Sequence, residues 1–202
     1  MKISCDREKL ASAFQIAATV ANARSPKEIL QNIKIEAAED RVTLMGTDME
    51  TGIRIDIDGV DVQLPGKALL PVARVGLILR ESSDDQLSFE TIGTETVVQG
   101  LHAEFKLPSA NPDEYPNVVG FEEESYHELP ARLFREMVRR TSFATDVDSS
   151  RYALGGVLME LVGEEVLAVG TDGRRLASMR GQGKSVGGHQ TSGNTTIIPV
   201  KS

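Results

Sequence analysis

Apolar residues in the first sixty positions follow two different periods. Five of them recur at helical spacing: Leu10, Ala13, Phe14, Ala17 and Ala21. This stripe predicts an amphipathic helix, and Asp6 stands where it can cap the helix N-terminus. From residue 33 the apolar positions instead alternate, over residues 33–37 and 42–44, on either side of a polar turn at residues 39–40. That pattern indicates an antiparallel hairpin with one buried face.

The hairpin recurs later in the chain. Residues 27–48 (KEILQNIKIEAAEDRVTLMGTD) align without a gap with residues 151–172 (RYALGGVLMELVGEEVLAVGTD), at an offset of 124 residues. Both copies end in Gly-Thr-Asp. Two unrelated hairpins that match by chance are the alternative. A gap-free match that runs into a shared tripeptide favours a structural repeat.

More alternating segments follow the first copy. They predict strands at residues 53–57, 67–71, 86–91, 96–99 and 103–107, and a helix near residues 72–81. Together they predict an α+β unit over residues 1–120, closed by the Pro-rich stretch at residues 111–117. Residues 121–129 contain an acidic run and are expected to form a linker.

A helix over residues 130–144 precedes the second hairpin. Its apolar stripe is Leu133, Phe134, Met137, Val138 and Thr141. Residues 197–200 (IIPV) resemble residues 69–72 (LLPV), the entry to the second helix of the first unit. We therefore expect residues 130–202 to hold only the first half of a second unit.

The distribution of cations decides how the overall charge is interpreted. A net charge of −8 and a pI of about 5.0 argue against a protein that adheres to phosphates over its whole surface. However, Arg132, Arg135 and Arg139 fall on one side of the predicted helix, opposite its apolar stripe, and Arg74 has the same placement on the helix at residues 72–81. One interpretation is an ordinary solvated helix face. The other is that repeated helices align these faces into a positive track that holds phosphates without reading sequence.

Catalytic and metal-binding chemistry finds little support in the sequence. His102, His127 and His189 are scattered without ligand spacing, and no phosphate-binding loop or nucleophile motif is present. Cys5 alternates with Met1 and is expected to be a buried apolar residue rather than a reactive thiol. We therefore expect a protein that is not an enzyme and needs neither cofactor nor metal.

The repeat and its motifs resemble the bacterial DNA polymerase III beta subunit family. The most specific motif is residues 170–177 (GTDGRRLA), and Arg151-Tyr152 followed by Leu154 and Gly156 also agrees. The resemblance implies the DNA-clamp fold: three similar domains per chain, and two chains joined head to tail in a ring with helices lining the hole and sheets outside. The third domain is absent from this sequence. It also implies a processivity factor that encircles duplex DNA and tethers DNA polymerase.

The resemblance implies three sets of site residues. For DNA it indicates Arg24, Arg74, Tyr152, Gly156 and Lys201, beside Arg132, Arg135 and Arg139 of the predicted helix. For a groove that binds partner peptides it indicates Leu154, Thr171, Gly173, Arg174, Arg175 and Leu176, although Arg174 stands where the family usually has His. For the subunit interface it indicates Phe105 and Leu107, for which core packing is the alternative.

The implied partners are double-stranded DNA, the DNA polymerase III catalytic subunit, the clamp loader and other proteins with a clamp-binding peptide. The charged N-terminus and the lack of a long apolar run favour a cytoplasmic protein. A repeat-built adapter that binds proteins and never touches DNA is the rival interpretation.

Overall fold

The structure, a computed structural model, describes residues 1–39, 41–191 and 196–200. It divides into two compact units, Met1–Gly120 and Phe121–Ser202, which we call the first and second unit. Within the described residues, no helix is both long and apolar enough to span a bilayer.

Among its described residues, the first unit contains two α-helices and nine strands. Its helices are α1 (Arg7–Ala17) and α2 (Val72–Glu81). Its strands are β1 (Lys2–Asp6), β2 (Asn32–Ala37), β3 (Val42–Thr47), β4 (Gly52–Ile57), β5 (Asp61–Leu64), β6 (Gly66–Pro71), β7 (Gln86–Ile92), β8 (Glu95–Gln99) and β9 (Glu104–Pro108). The strands form two antiparallel sheets, in the orders β5-β1-β7-β8-β9 and β4-β3-β2-β6.

Helix α1 begins where the sequence predicts. The Asp6 carboxylate accepts a hydrogen bond from the backbone N–H of Lys9 at 2.9 Å and so caps the helix N-terminus. All five residues of the predicted stripe are buried, including Ala21, which lies beyond the last helical residue. This face joins α2 and both sheets in one apolar core.

The central strand β3 differs from the prediction because both of its faces are buried. One face packs in the main core, and Met45 on the other packs with Tyr115 and Val118 from the Pro-rich segment. The Tyr115 hydroxyl donates to the Asn32 carbonyl oxygen at 3.0 Å and accepts from the Thr47 N–H at 3.2 Å. The Pro-rich segment therefore covers the sheet, and burial raises the pKa of the Tyr115 hydroxyl.

The second unit contains one helix and six strands among its described residues. The helix is α3 (Ala131–Thr141), followed by a 3₁₀ turn at Ser142–Ala144. The strands are β10 (Tyr126–Glu128), β11 (Gly156–Val162), β12 (Glu165–Thr171), β13 (Leu176–Gln182), β14 (Lys184–Val186) and β15 (Thr196–Pro199). The sheets have the orders β13-β12-β11-β15 and β10-β14.

The two units share one topology over this region. The order β13-β12-β11-β15 matches β4-β3-β2-β6, and β10-β14 matches the pair β1-β5. The register is the same: Ile35 lies opposite Leu44, and 124 residues later Met159 lies opposite Ala168. Strand β10 lies inside the stretch that the sequence analysis expects to be linker, because its three residues are too few to show a period.

The predicted stripe of α3 is only partly buried. Met137 and Thr141 are fully buried, but Phe134 is 38% exposed. Its counterpart at the 124-residue offset, Leu10, is fully buried on α1, which packs against α2. In the described part of the second unit α3 is the only α-helix, so less apolar surface is available to cover Phe134.

Candidate functional site

The Thr-Asp turn at the end of the repeat has the same hydrogen bonds in both units. Asp172 Oδ1 accepts from the backbone N–H groups of Arg174 and Arg175, both at 2.9 Å, and Thr171 Oγ1 donates to the Arg175 carbonyl oxygen at 2.7 Å. Gly173 has φ +86°, a left-handed conformation that suits glycine. The turn is therefore held by its own side chains.

In the first unit, Asp48 Oδ1 accepts from Glu50 N–H at 2.9 Å and Thr51 N–H at 2.7 Å, and Thr47 Oγ1 donates to the Thr51 carbonyl oxygen at 2.7 Å. Met49 takes the left-handed position, with φ +83°. Thr47 and Asp48 form the same hydrogen bonds within their turn as Thr171 and Asp172 form in theirs. The need to stabilise this turn therefore explains why both units contain the Thr-Asp dipeptide.

The residues that follow the dipeptide distinguish the two turns. Residues 50–52 are Glu-Thr-Gly, whereas residues 174–176 are Arg-Arg-Leu. Arg174 and Arg175 are exposed, and Leu176 is 67% exposed although it is a large apolar residue. The second turn thus presents two cations beside an uncovered leucine, which is a surface suited to binding rather than to core packing.

The Arg175 side chain is held in place from two sides. Its Nε donates to Asp172 Oδ2 at 2.9 Å, and its guanidinium carbon lies 5.9 Å from the centre of the Phe143 ring. The hydrogen bonds from the backbone of Arg175 and Arg174, followed by the side chain of Arg175, lower the pKa of Asp172. The carboxylate is therefore ionised, and able to hold the guanidinium, throughout the neutral range.

Antiparallel pairing brings the predicted groove residues to one end of the sheet. β12 ends at Thr171, β13 begins at Leu176 opposite it, and β11 begins two residues after Leu154. Leu154 is half-buried at the end of a 3₁₀ turn. The six predicted groove residues therefore lie along the start of β11, the end of β12 and the start of β13.

Phe143 is a candidate that the sequence analysis missed. It lies in the 3₁₀ turn after α3, is 61% exposed, and stacks against Arg175. Its signal in the sequence is an aromatic residue that falls two positions after the last member of the apolar stripe. An aromatic side chain off the buried face of a helix is a candidate for contact with a partner.

The predicted cationic face of α3 is exposed but partly neutralised. Arg132, Arg135 and Arg139 are all exposed. Glu136 Oε2 accepts from Arg139 Nη2 and from Arg140 Nε, both at 2.9 Å. These two hydrogen bonds lower the pKa of Glu136, so the carboxylate remains charged amid the arginines. Glu136 was not among the predicted site residues, although its i+3 and i+4 spacing to the two arginines indicates these pairs.

The predicted DNA residues of the first unit are both exposed. Arg24 lies beyond α1, where its backbone N–H donates to Asn22 Oδ1 at 2.8 Å. Arg74 lies on the first turn of α2. Within the described ranges neither side chain forms an ion pair, so both guanidinium groups are available to a phosphate.

The remaining predicted DNA residues have different placements. Tyr152 is 69% exposed, and its hydroxyl donates to the Ile197 carbonyl oxygen at 3.4 Å. Gly156 is buried in β11, where a Cβ would lie 2.6 Å from the Ile198 carbonyl oxygen, so glycine is needed for β11 to pair with β15. Lys201 lies outside the described residues.

The predicted interface strand is an edge strand. Among the described residues β9 pairs only with β8. Leu107 is 5% exposed and belongs to the main core, whereas Phe105 is 38% exposed. Phe105 lines a largely apolar cavity of about 470 Å³ between β9 and α2, with Leu77 and Ala103 among the other lining residues. The two residues therefore differ: Leu107 packs the core, and Phe105 faces an open apolar surface.

Among the described residues, no group of three or more His, Cys, Asp or Glu side chains is placed to hold a metal ion. Asp48 and Asp172 serve equivalent turns instead.

The chain resembles known proteins over nearly its whole length. The sequence model of the DNA polymerase III beta subunit N-terminal domain matches residues 1–119, and that of the central domain matches residues 128–202. The beta sliding clamp of Haemophilus influenzae is 29% identical over 183 residues, covering 88% of this chain and 49% of the relative. The beta sliding clamp of Escherichia coli K12 is 28% identical over 178 residues, with the same coverage.

Solved structures agree with these matches. The crystal structure of the DNA polymerase sliding clamp from Bacillus subtilis has a TM-score of 0.88 and 26% identity, and the match covers all of this chain and 54% of that chain. A sliding clamp from Pseudomonas aeruginosa, solved bound to griselimycin, shares the fold with a TM-score of 0.85. The chain spans about half the length of the curated relatives it matches. Because the two domain models together match almost all of its residues, the chain belongs to the DNA polymerase III beta subunit family.

Proposed function

We propose that this chain is part of a DNA sliding clamp, a non-catalytic ring that encircles duplex DNA in the cytoplasm and tethers DNA polymerase to it. In this proposal residues 1–120 form the first domain, residues 121–129 a linker and residues 130–202 the first half of the second domain, with a third domain present in the full-length protein. Family membership and the repeated topology support it.

The observation that carries the tethering role is the difference between the two Thr-Asp turns. Both turns have the same backbone hydrogen bonds, yet only the second presents Arg174, Arg175 and an exposed Leu176. A leucine preceded by two arginines, of which Arg175 is held by Asp172, suits a short peptide with apolar side chains and free carbonyl oxygens. We expect the polymerase catalytic subunit, the clamp loader and other proteins with a clamp-binding peptide to bind here.

The DNA role rests on exposed arginines in an acidic chain. Arg24, Arg74, Arg132, Arg135 and Arg139 are exposed, and long-range attraction to phosphates does not need base contacts. Tyr152 and Lys201 are proposed to add contacts. Gly156 is proposed to contribute by allowing β11 to pair closely with β15, whose Ile197 carbonyl oxygen accepts from the Tyr152 hydroxyl.

Ring closure is proposed to use Phe105 beside the edge strand β9. An exposed aromatic residue next to an apolar cavity suits a heterologous contact, in which a different surface of the second copy fills the space. Leu107 supports this surface from the core. The ring is then a head-to-tail homodimer of the full-length protein.

Topological binding distinguishes a ring from the rival adapter. The full-length protein, assembled on DNA with its clamp loader and passed through a gel-filtration column, should stay with a nicked circular plasmid and be lost when the plasmid is cut to a linear form. Equal loss from both forms would contradict a ring.

The groove is tested separately with paired variants of the full-length protein. Replacing Arg175 and Leu176 with Ala should abolish binding of the clamp-binding peptide of the polymerase catalytic subunit, while retention on circular DNA is unchanged. The matched control is Glu50→Ala with Thr51→Ala, which alters the equivalent turn of the first unit. Unchanged affinity after the first pair of substitutions would remove the groove assignment.

A further inference from the structure

Two histidines that neither the clamp role nor the peptide groove uses meet in the second unit. His127 Nδ1 lies 2.7 Å from His189 Nδ1, although 62 residues separate them in sequence. His127 is the central residue of β10, paired with Ser185 of β14. His189 follows a turn in which Gly187 and Gly188 both have positive φ, and this turn brings the chain back beside β10.

The hydrogen bonds determine which nitrogen of His127 carries the proton. His127 Nε2 lies 2.8 Å from the Gly163 carbonyl oxygen, and a carbonyl oxygen only accepts. The proton of the neutral ring is therefore on Nε2, which leaves a lone pair on His127 Nδ1 directed at His189. His189 Nδ1 donates into this lone pair, so a single proton lies between the two Nδ1 atoms.

We propose that this histidine pair, His127 and His189, is a two-nitrogen binding site for a divalent transition-metal ion such as Cu²⁺, Ni²⁺ or Zn²⁺. In the bound form the proton of His189 moves from Nδ1 to Nε2, so both rings stay neutral and both Nδ1 lone pairs face the ion. Imidazole nitrogens are good ligands for these ions, and Cu²⁺ binds most tightly among them.

Metal binding requires His189 to move away from His127. Metal–nitrogen bonds of about 2.1 Å at a tetrahedral angle separate two nitrogens by about 3.4 Å. The present 2.7 Å separation therefore opens by about 0.7 Å. The ring centroids lie 5.0 Å apart, so the two Nδ1 atoms point almost directly at each other, and the His189 ring must also turn for both lone pairs to meet at one ion.

Two features distinguish this pair from an accidental contact of histidines. The Gly163 carbonyl fixes the ring orientation and tautomer of His127, as outer-sphere carbonyl groups do for histidine ligands in metalloproteins. Ser185 Oγ donates to the His189 carbonyl oxygen at 2.8 Å and holds the backbone of the second ligand. Both rings are only half-buried, so water can complete the coordination of the ion.

A bound ion would connect β10, the turn after β14 and the β11–β12 turn at Gly163. Because the unfolded chain does not bring these segments together, the ion binds the native state preferentially and stabilises it. We therefore expect metal to raise the melting temperature of the second unit.

The test uses the chain as it exists, titrated with Cu²⁺ and with Zn²⁺ at pH 7.5 in a buffer that does not chelate metals. We expect one equivalent of Cu²⁺ to bind, with electron paramagnetic resonance couplings from two nitrogens, and Zn²⁺ to raise the melting temperature. His127→Gln and His189→Gln should each weaken Cu²⁺ binding at least tenfold and remove the effect of Zn²⁺. His102→Gln, which changes the third histidine, is the matched control and should behave like the unsubstituted chain.

Two results would overturn the proposal. One is Cu²⁺ bound as tightly by His127→Gln or His189→Gln as by the unsubstituted chain. The other is a spectrum of the unsubstituted chain with fewer than two coupled nitrogens, a measurement that does not depend on whether any variant folds.

Discussion

The guanidinium carbon of Arg175 lies 5.9 Å from the centre of the Phe143 ring, and Arg175 Nε donates to Asp172 at 2.9 Å. The ring supports one face of the cation while the carboxylate holds its edge. An arginine restrained in this way loses less conformational freedom when it donates to a partner. Phe143 is thus a positioning residue for Arg175.

Phe143→Leu should weaken binding of the clamp-binding peptide about twofold to fivefold, the range expected for an exposed cation–π contact. Fluorescence anisotropy of a labelled peptide with the full-length protein measures this change. Phe134→Leu is the matched control, because Phe134 is also partly exposed but lies on α3 itself. Equal losses from the two substitutions would indicate a general effect on the unit.

Glu136→Gln should increase the affinity for duplex DNA. The substitution removes the negative charge that pairs with Arg139 and Arg140 and leaves these cations available to phosphates. We expect the slope of log affinity against log salt to steepen by up to about one. The measurement is a salt titration with a short duplex of arbitrary sequence.

Glu160→Gln is the control for this experiment, because it makes the same charge change on an exposed position of β11. If both variants bind DNA equally, the effect comes from net charge and the α3 face has no special role.

Gly170→Ala and Gly46→Ala should each destabilise the unit that contains them. A Cβ at Gly170 would collide with the Thr141 carbonyl oxygen at the end of α3, and one at Gly46 would lie 2.8 Å from the Ala17 carbonyl oxygen at the end of α1. Overpacking of this kind costs about 1–3 kcal/mol. Urea unfolding, followed separately for the transition of each unit, measures the loss.

Gly76→Ala is the opposite case, and it serves as the control for those two substitutions. A Cβ there would contact only the Phe14 ring, at 3.8 Å, and Gly76 lies inside α2. Alanine in a helix interior is favoured over glycine by about 0.5–1 kcal/mol. A gain in stability, or no change, is expected; a loss as large as that of Gly170→Ala would show that steric contact is not the cause.

The two Thr-Asp turns should make stability depend on pH only in acid. Hydrogen bonds from Thr51 N–H and Glu50 N–H lower the pKa of Asp48, and those from Arg175 and Arg174 lower that of Asp172. A lowered native pKa contributes stability that is complete above the unfolded pKa of about 4 and is lost as the pH falls through the native value. Between pH 5 and pH 8 both carboxyl groups are ionised in the folded and in the unfolded chain, because the higher of the two pKa values is about 4. Their contribution to the melting temperature should therefore be constant over this range.

Asp48→Asn and Asp172→Asn test this origin. The asparagine keeps an acceptor for the turn but loses the charge, so each variant should be less stable at neutral pH, and the difference from the unsubstituted chain should shrink as the pH falls below about 4. A constant difference at every pH would exclude ionisation of these carboxyl groups as the cause.

Cys5 should be inert in the native chain. It is 2% exposed, its Sγ donates to the Leu87 carbonyl oxygen at 3.6 Å, and burial, followed by the charge of Asp6, raises the pKa of its thiol to about 12. An aromatic disulfide reagent should therefore release less than a tenth of an equivalent at pH 8, and one equivalent after denaturation. Rapid native labelling would contradict the buried placement.

Local patterns in the sequence determined the elements of this protein and their repetition. Periodicity predicted the stripe of α1, the bounds of α2 at residues 72–81 and the hairpins at a 124-residue offset. It could do so because an element with one buried face has apolar residues at the repeat of its own geometry, every three or four residues in a helix and every second residue in a strand. The repeat also indicated Asp48 and Asp172 as equivalent residues, since a turn that must satisfy the same backbone groups keeps the same side chains.

Tertiary structure alone decided how long-range contacts use those elements. Periodicity carries no information about pairing across distance, so the burial of both faces of β3, the short strand β10 and the contact between His127 and His189 were not predicted. The candidate sites also depend on tertiary contacts. Residues 170–176 identified the second Thr-Asp turn, but only the packing of the 3₁₀ turn after α3 places Phe143 against Arg175. Likewise, only the burial in the folded chain distinguishes Leu107, which lies in the core, from Phe105, which lies at the surface.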